Sequence, residues 1–456
     1  MHKQIQKSTF KAGMYLLETL TAGMYNDPLS IYREYIQNAV DSIDIGNNQG
    51  KRDVKNIKID LDPLKKNITI RDNGVGIPAE FAENILSSIG SSNKQGSEQG
   101  EFRGFRGIGR LGGIAFSEKV IFRTKAEGEK TESIQIWDCQ KLKQIFDNKN
   151  YHLTLKELFK RITSFSQQNS VPSRGSYFEV NLHGVSSFRN HIIDIAKIRN
   201  YISQVAPVPF NYEQFSHGRS IDKYLKDNLT NYSSYNIVLN GKPIYKQYSN
   251  VIKTSMKKGE AIDNIGDIRF LDIKSNKEKP IAYGWYGERK NLLGSIKRGE
   301  GYSGIRVRVG NILLGDAHLL DKCFREDRFN GYMIGEVHIN TSQLVPNSRR
   351  DDFIDNETKT LFYNALERNI GIPISKAIRL QSRLNSSNEI HNTALKSESA
   401  THKQPVIVER NNEPLRAIAN YEPHNKDKFS DEILKEIMKC CSSCPNFSRI
   451  INNASN

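Results

Sequence analysis

The chain has 456 residues, 37% of them hydrophobic, and a formal net charge of +15. That length is enough for two sizeable hydrophobic cores, so we expect more than one domain. The sequence contains no run of about 18 apolar residues, which excludes a membrane-spanning helix. Residues 1–5 lack the apolar core of a signal peptide, so we expect a cytoplasmic protein.

The first informative segment lies in a predicted helix, Pro28 to Ile45. Glu34, Asn38 and Asp41 fall at positions i, i+4 and i+7, so they share one face. An ordinary solvated helix can present the same face. In a functional site, an ionised Glu34 would deprotonate an attacking water, and the amide oxygen of Asn38 would complete a magnesium shell that keeps several waters. Asp41 would order the pocket through hydrogen bonds.

The second segment follows two predicted strands, Asn56 to Leu61 and Asn67 to Arg71. It begins at Asp72 and continues Asn-Gly-Val-Gly, residues that are also typical of a simple turn. The functional alternative is base recognition. A buried Asp72 carboxylate that accepts from an exocyclic amino group would select adenine, and Gly74 and Gly76 would let the backbone approach the ring.

The third segment is rich in glycine and arginine and follows a predicted helix, Ala79 to Ile89. Its candidate ligand-binding residues are Gly104, Arg106, Gly107, Ile108 and Gly109. Backbone N–H groups at the start of a helix point at anions, so this segment is a candidate triphosphate cradle. It differs from a P-loop because no Lys-Ser or Lys-Thr follows the glycines, and no strand immediately precedes them as a dinucleotide fold requires.

In order and spacing, these three segments resemble the nucleotide-binding boxes of the GHKL superfamily, which includes gyrase, the 90-kDa heat-shock chaperones, histidine kinases and MutL. The resemblance implies an ATPase with ATP and Mg²⁺ as cofactors and a slow turnover. Residues 89–97 resemble the lid hinge of the heat-shock chaperones, the HtpG-like group to which the likeness is closest, and Lys94 would then reach the phosphates. Ser176 would replace the Thr that these ATPases place beside the adenine-binding Asp, although Gly-Ser before a strand is commonplace.

Strands and helices also alternate after residue 210. In that region Leu344 to Asp351 resembles the middle-domain loop from which the chaperones extend an arginine to the γ-phosphate. Arg350 is the better candidate by alignment, and Arg349 stays open as the alternative. A planar, permanently charged guanidinium suits phosphate oxygens in a transition state. A surface cluster of ion pairs is the competing interpretation.

These patterns predict an α+β protein with a GHKL-type α/β sandwich at residues 1–205 and a transducer domain at 210–380. Two prolines, at residues 207 and 209, favour a joint at Ala206 to Phe210. A flexible polar linker should occupy 381–430, and a short helix and tail 431–456. The expected strands not yet given are Lys119 to Thr124, Ser133 to Trp137, Tyr177 to Leu182, Asn236 to Leu239, Asp267 to Ile273, Ile281 to Tyr286, Gly304 to Val309 and Ile334 to Ile339.

The expected function is an ATP-dependent conformational clamp that acts on a protein client or partner and forms a homodimer when ATP binds. Arg103, Arg106 and Arg110 depart from the chaperone pattern, and Gly-Phe-Arg-Gly at residues 104–107 is more similar to MutL. A MutL-like or MORC-like clamp on DNA, in genome maintenance or defence against foreign DNA, is therefore the alternative. The positive net charge of the chain would favour binding to DNA, which is a polyanion.

Overall fold

A computed structural model gives the fold of the chain. It describes residues 12–21, 27–48, 55–89, 109–148, 152–169, 174–186, 191–256, 259–274, 280–292, 294–297 and 299–384. Two mixed β-sheets with helices packed against them account for most of these residues, and both sheets belong to one compact unit, Met1–Ser387. The expected α+β class is confirmed.

The first sheet has eight strands in the order β5-β4-β3-β6-β2-β1-β7-β8. Neighbouring strands are antiparallel except β1 and β7, which are parallel. Its strands are β1 (Asn56–Asp62), β2 (Asn67–Asp72), β3 (Lys119–Lys125), β4 (Thr131–Asp138), β5 (Thr163–Asn169), β6 (Tyr177–His183), β7 (Asn236–Leu239) and β8 (Lys242–Pro243). In β2, alternate residues Ile68, Ile70 and Asp72 are buried, the period of a strand with one covered face.

Eight α-helices accompany the two sheets in the described ranges. They are α1 (Tyr15–Thr21), α2 (Ser30–Asn48), α3 (Ala79–Ser87), α4 (Cys139–Asp147), α5 (Leu155–Ile162), α6 (Ile195–Val205), α7 (Gly218–Asn228) and α8 (Glu357–Leu366). Local sequence explains several helix starts: Thr154 and Glu157 form a capping box before α5, and Asp194 caps α6. None of these helices combines the length and hydropathy that a membrane crossing requires.

Helix α2 is the central element of the first core. Its apolar residues Ile36, Val40 and Ile43, spaced at i, i+4 and i+7, are at most 3% exposed and pack in one cluster with the sheet residues Ile59 and Ile70. Burial of each such side chain contributes about 1.5–3 kcal/mol. This packing fixes the rotation of α2 and hence the direction of its polar face.

The second sheet has seven strands in the order β12-β9-β10-β11-β15-β13-β14, with β13 and β15 parallel. These are β9 (Val251–Met256), β10 (Gly259–Lys274), β11 (Pro280–Arg289), β12 (Ser295–Ile296), β13 (Gly304–Val309), β14 (Ile312–Leu314) and β15 (Ile334–Ile339). Apolar side chains of α8 pack with residues of this sheet in one buried cluster, and apolar side chains of α7 pack with residues of this sheet in another. The strands predicted within β10, β11, β13 and β15 are confirmed.

The first sheet extends beyond the expected joint between domains. Helix α6 ends at Val205, directly before the joint, but β7 then pairs in parallel with β1 through Ile57 and Ile237. The strand Asn236–Leu239, which the sequence placed with the second domain, is thus part of the first sheet. The helix that begins with α8 continues through a π-turn at Glu367–Gly371 to residue 384. Residues 381–384, which were expected to begin the linker, are thus helical. The rest of that linker and the terminal helix lie outside the described residues.

Candidate functional site

Helix α2 presents the polar face that the sequence predicted. A turn fixes the start of this helix, because the Leu29 N–H donates to Asp27 Oδ1 at 2.9 Å and Ser30 Oγ donates to the Asp27 carbonyl at 2.6 Å. Glu34 and Asn38 are partly buried on the face, and Asp41 is only 1% exposed. The face is therefore covered by other parts of the chain and is not an ordinary solvated surface.

The Glu34 carboxylate lies where three parts of the chain meet. Its Oε1 is 3.6 Å from Arg33 Nε on the same helix and 3.5 Å from Arg350 Nε, which comes from the second sheet region. Its Oε2 lies so close to Gly109 that a Cβ at that position would collide with it. Glycine is thus required at 109 for this carboxylate position.

The loop after β2 packs tightly against α2. The Asp72 side chain is 5% exposed and its Oδ1 accepts the Gly74 N–H at 2.8 Å. A Cβ on Gly74 would lie 2.7 Å from the carbonyl carbon of Ser42 in α2, and Gly76 has a φ of +67°. The two glycines therefore allow a close approach and a left-handed turn that other residues would resist.

Ser176 and Thr124 hold this loop from the other side. Ser176 Oγ donates to the Gly74 carbonyl at 2.5 Å. Thr124 Oγ1 accepts the Ile77 N–H at 2.8 Å and donates to the Tyr177 carbonyl at 3.1 Å. The structure thus brings Ser176 to the Asp72 loop, as expected, and adds Thr124, which sequence reasoning missed because it looked like any residue of an alternating strand.

The Arg350 loop is a tight turn between paired backbone segments. The Asn347 N–H donates to the Asp352 carbonyl at 2.8 Å, and the Gly315 N–H donates to the Arg350 carbonyl at 2.8 Å. Arg350 has a φ of +57°, a conformation that costs a non-glycine residue about 1–2 kcal/mol. Arg349 is exposed, and its carbonyl accepts from Arg33 Nη2 at 3.4 Å. Of the two arginines, Arg350 is the one whose guanidinium faces Glu34.

Several buried polar atoms beside this site have no hydrogen-bond partner among the described residues. They include Nε and Nη2 of Arg110, the half-buried residue after Gly109, and both amide atoms of Gln37, which is 1% exposed on α2. Burial lowers the pKa of Arg110 to about 10, still far above neutrality, so the group stays charged. Buried guanidinium N–H groups without an acceptor are costly, and an anionic ligand would supply acceptors for them.

Several predicted site residues lie outside the described part of the chain: Lys94, Gly104, Arg106, Gly107 and Ile108. Gly109 is the first described residue of the third segment and begins a short 3₁₀ helix, Gly109–Ala115. Tyr35 ties that helix to α2, because its hydroxyl donates to the Arg110 carbonyl at 3.1 Å and accepts the Gly113 N–H at 3.0 Å. The described end of the third segment therefore meets the first segment.

This arrangement, an α/β sandwich with a buried Asp after β2, a glycine-rich approach to α2 and a carboxylate on that helix, is consistent with a GHKL-type ATP-binding domain. The comparison with protein families agrees. Residues 33–169 match the family described as histidine kinase-, DNA gyrase B-, and HSP90-like ATPase. The family recognised from the sequence is thus confirmed for this part of the chain.

Curated relatives also resemble the chain in its ATPase region. Chaperone protein HtpG of Escherichia coli strain K12 is 28% identical over 141 residues, which cover 27% of this chain and 22% of HtpG. HtpG of Escherichia coli O157:H7 matches with the same values. The match thus spans about a fifth of the relatives' length and concerns the ATPase region alone. Both of these relatives are chaperones, and neither is a MutL or MORC protein.

Proposed function

We propose that the chain is an ATP-driven conformational clamp that hydrolyses ATP to ADP and phosphate and acts on a protein client in the cytoplasm. The observation that carries this proposal is the meeting of Glu34, Gly109 and Arg350. It places a carboxylate, a glycine-rich turn and a guanidinium from the second sheet region at one point. A general base and a phosphate-binding cation are the groups that phosphoryl transfer to water needs.

In this proposal Asp72 selects adenine. Its buried carboxylate accepts from the exocyclic amino group of the base, while Gly74 and Gly76 let the backbone reach the ring. Ser176 stabilises the loop through the Gly74 carbonyl. Guanine has a carbonyl where adenine has its amino group, so the same carboxylate would repel it. Asp41 supports the pocket wall from within α2.

Glu34 acts as the general base. It takes a proton from a water whose oxygen attacks the γ-phosphorus, the bond from that phosphorus to the β-γ bridging oxygen breaks, and ADP leaves. Glu34 then returns the proton to solvent. Arg350 stabilises the charge that develops on the γ-phosphate oxygens, and Arg33 keeps the carboxylate oriented.

Positive charge around the site suits a triphosphate. Arg110 directly follows Gly109, and Arg350 pairs with the Glu34 carboxylate beside that glycine. The unpaired guanidinium atoms Nε and Nη2 of Arg110 offer donors for phosphate oxygens. In the role carried over from the family resemblance, Lys94 and the segment Gly104, Arg106, Gly107 and Ile108 would complete the phosphate cradle.

The donor set also fits Mg²⁺. Asn38 lies four residues after Glu34 on the same helical face and offers one amide oxygen. In the described ranges, no group of three or more His, Cys, Asp or Glu side chains could hold a metal. A single protein oxygen completed by phosphates and water is how Mg²⁺ is commonly bound, and the ion would neutralise phosphate charge there.

The contact between Arg350 and Glu34 would also make the protein a clamp. Since Arg350 belongs to the second sheet region and Glu34 to the first, ATP between them would link the two regions, and hydrolysis would release that link. Motion of this kind commonly limits turnover, so a slow ATPase is expected. We further propose that the closed state is a homodimer.

Nucleotide binding tests the proposal directly. We expect ATP to bind more tightly than GTP, and Asp72→Asn to abolish ATP binding because the carboxylate that accepts from adenine is lost. Asp60→Asn, on the neighbouring strand β1, is the matched control, since Asp60 forms a surface pair with Lys58. Equal ATP affinity in the two variants would contradict the assignment of Asp72.

The two arginines of the loop provide a second matched pair. Arg350→Ala should keep ATP binding and lose most but not all of its turnover, whereas Arg349→Ala should keep both, because only the Arg349 backbone contacts the site. The reverse result would assign the phosphate contact to Arg349.

The net charge of +15 is the observation that favours the alternative client, a nucleic acid. ATP turnover should therefore be measured with and without double-stranded DNA at two salt concentrations. Turnover that DNA leaves unchanged supports a protein client. Stimulation that fades at high salt would support a MutL-like or MORC-like DNA clamp instead.

A further inference from the structure

A buried charged cluster lies where the two sheet regions meet. We call it the junction cluster, and its members are Lys246, Tyr248, Arg308, Glu336 and His338. At its centre the Glu336 carboxylate, whose side chain is 0% exposed, is bonded to Arg308 Nε at 2.5 Å and Lys246 Nζ at 2.7 Å. The Tyr248 hydroxyl and His338 Nε2 each lie 3.1 Å from its oxygens.

The cluster sets one carboxylate against two cationic side chains. Burial alone would raise the pKa of Glu336, but the charges of Arg308 and Lys246 hold it well below its usual range, so the carboxylate is ionised. Because buried ion pairs add little net stability compared with apolar packing, a cluster of this kind is weak evidence for stability alone. Its directional bonds do fix geometry, so the elements that they join are informative.

The bonds of the cluster join the two regions. Arg308 and Glu336 lie on β13 and β15 of the second sheet, and Lys246 follows β8, the last strand of the first sheet order. Arg308 Nη2 also donates to the Gln204 carbonyl in α6 at 2.8 Å. Nearby, Asn311 accepts from Lys246 Nζ at 3.1 Å and donates to the Ser233 carbonyl at 2.8 Å.

The cluster is connected to Arg350 by a short path. Arg308 and Asn311 belong to the hairpin of β13 and β14, which are antiparallel partners. Gly315 follows β14 directly, and its N–H donates to the Arg350 carbonyl at 2.8 Å. One end of the hairpin is therefore bonded to α6, and the other end holds the Arg350 loop.

We propose that the junction cluster is a positioning device for ATP hydrolysis: it fixes the β13–β14 hairpin to α6 and so keeps Arg350 against Glu34. The proposal rests on the proposed ATPase function. Arg308 and Glu336 are positioning residues, since neither touches the site. Displacement of a catalytic group by about 1 Å can cost about 100-fold in rate, so loss of this bonding should be visible in turnover.

The test compares two Arg→Lys variants in buried ion pairs of the second sheet. Arg308→Lys keeps the charge but loses the fork that reaches both Glu336 and Gln204. Arg289→Lys is the matched control: Arg289 pairs with Asp263 at 2.9 Å, both side chains 0% exposed, between β10 and β11 of one sheet. Thermal melting identifies the temperature at which both variants are folded.

We expect Arg308→Lys to lower kcat by about 10- to 100-fold with an ATP affinity close to that of the unsubstituted protein. Arg289→Lys should retain kcat. In an Arg350→Ala background, Arg308→Lys should cause no further loss, because both substitutions remove the same contact. Hydrogen exchange should also quicken at the Tyr235 and Lys246 amides, which donate to Pro207 and Pro209 at the joint.

Three results would overturn the proposal: unchanged kcat in Arg308→Lys, equal losses in the two Arg→Lys variants, or a loss in Arg308→Lys that adds to that of Arg350→Ala. Unchanged hydrogen exchange at the joint would overturn it as well. If the unsubstituted protein neither binds nor hydrolyses ATP, the proposed function fails and this inference fails with it. If the unsubstituted protein binds and hydrolyses ATP but the kinetic or hydrogen-exchange results contradict the proposal in one of these ways, only this inference fails.

Discussion

Gly74→Ala is the substitution whose effect the packing defines most sharply. The added Cβ would lie 2.7 Å from the Ser42 carbonyl carbon, about 0.7 Å inside ordinary van der Waals contact, and that backbone atom belongs to the tightly packed helix α2. Overpacking of this kind costs about 1–3 kcal/mol. The loop that holds Asp72 must therefore move away from α2.

We expect this movement of the loop to lower the affinity for ATP. If ATP requires the original loop position, the same about 1–3 kcal/mol appears as a loss of ATP affinity of about 5- to 150-fold. Isothermal titration with ATP measures it, and denaturant unfolding measures the stability. Gly331→Ala is the control, because no atom of the described residues lies within 4 Å of a Cβ at that position.

A second substitution separates side-chain from backbone collision. Ser42→Gly removes the Ser42 hydroxyl and Cβ but leaves its carbonyl carbon, so the double variant Ser42→Gly, Gly74→Ala should recover only part of the affinity. ATP affinity in Gly74→Ala equal to that in Gly331→Ala would refute the reasoning.

Three further predictions concern charge, pH and thiol reactivity. Arg110→Gln should weaken ATP about tenfold or more and leave adenosine unaffected, because only the phosphates would pair with the guanidinium; equal losses for both ligands would contradict this. Burial lowers the pKa of His338 from 6.5 to about 4. Between pH 6.5 and pH 4 the unfolded chain therefore binds a proton that the folded chain does not, and the free energy of unfolding falls by up to about 3 kcal/mol as the pH drops from 7 to 4. In urea unfolding, the free energy of unfolding of His338→Gln should depend less steeply on pH than that of the unsubstituted protein. An equally steep dependence would contradict this prediction. Burial raises the pKa of the Cys139 and Cys323 thiols to about 12, so mass spectrometry after alkylation at pH 8 should find both unmodified until the protein unfolds.

Local pattern predicted the elements that hold the site. The helical spacing of Glu34, Asn38 and Asp41 and the alternation before Asp72 depend on neighbouring residues alone, and both appear where they were expected. The helix that contains Glu34 was predicted from Pro28 to Ile45 and is found at Ser30–Asn48, which is the usual uncertainty of helix ends.

Pairing between distant segments could not be predicted in the same way. The strand Asn236–Leu239 is short and apolar, and nothing in its sequence distinguishes a partner in the first sheet from one in the second. Only the tertiary fold brings Ile237 beside Ile57, 180 residues earlier. For this reason the first sheet extends past the joint that the prolines at residues 207 and 209 indicated.

Buried polar residues were missed because their sequence patterns predict exposure. Arg308 alternates with apolar neighbours in β13, a pattern typical of a strand with one solvated face, but both faces of β13 are covered. Gln37 likewise carries no signal of burial. A weak signal existed for Arg110, since arginine at that point departs from the chaperone pattern.

The central claim is ATP hydrolysis with Glu34 as the general base. The most direct measurement follows ATP binding and phosphate release on the same samples of the unsubstituted protein and Glu34→Ala. We predict nearly equal ATP affinity in both, with phosphate released by the unsubstituted protein alone. Normal phosphate release by Glu34→Ala, or no ATP binding by either protein, would contradict the claim.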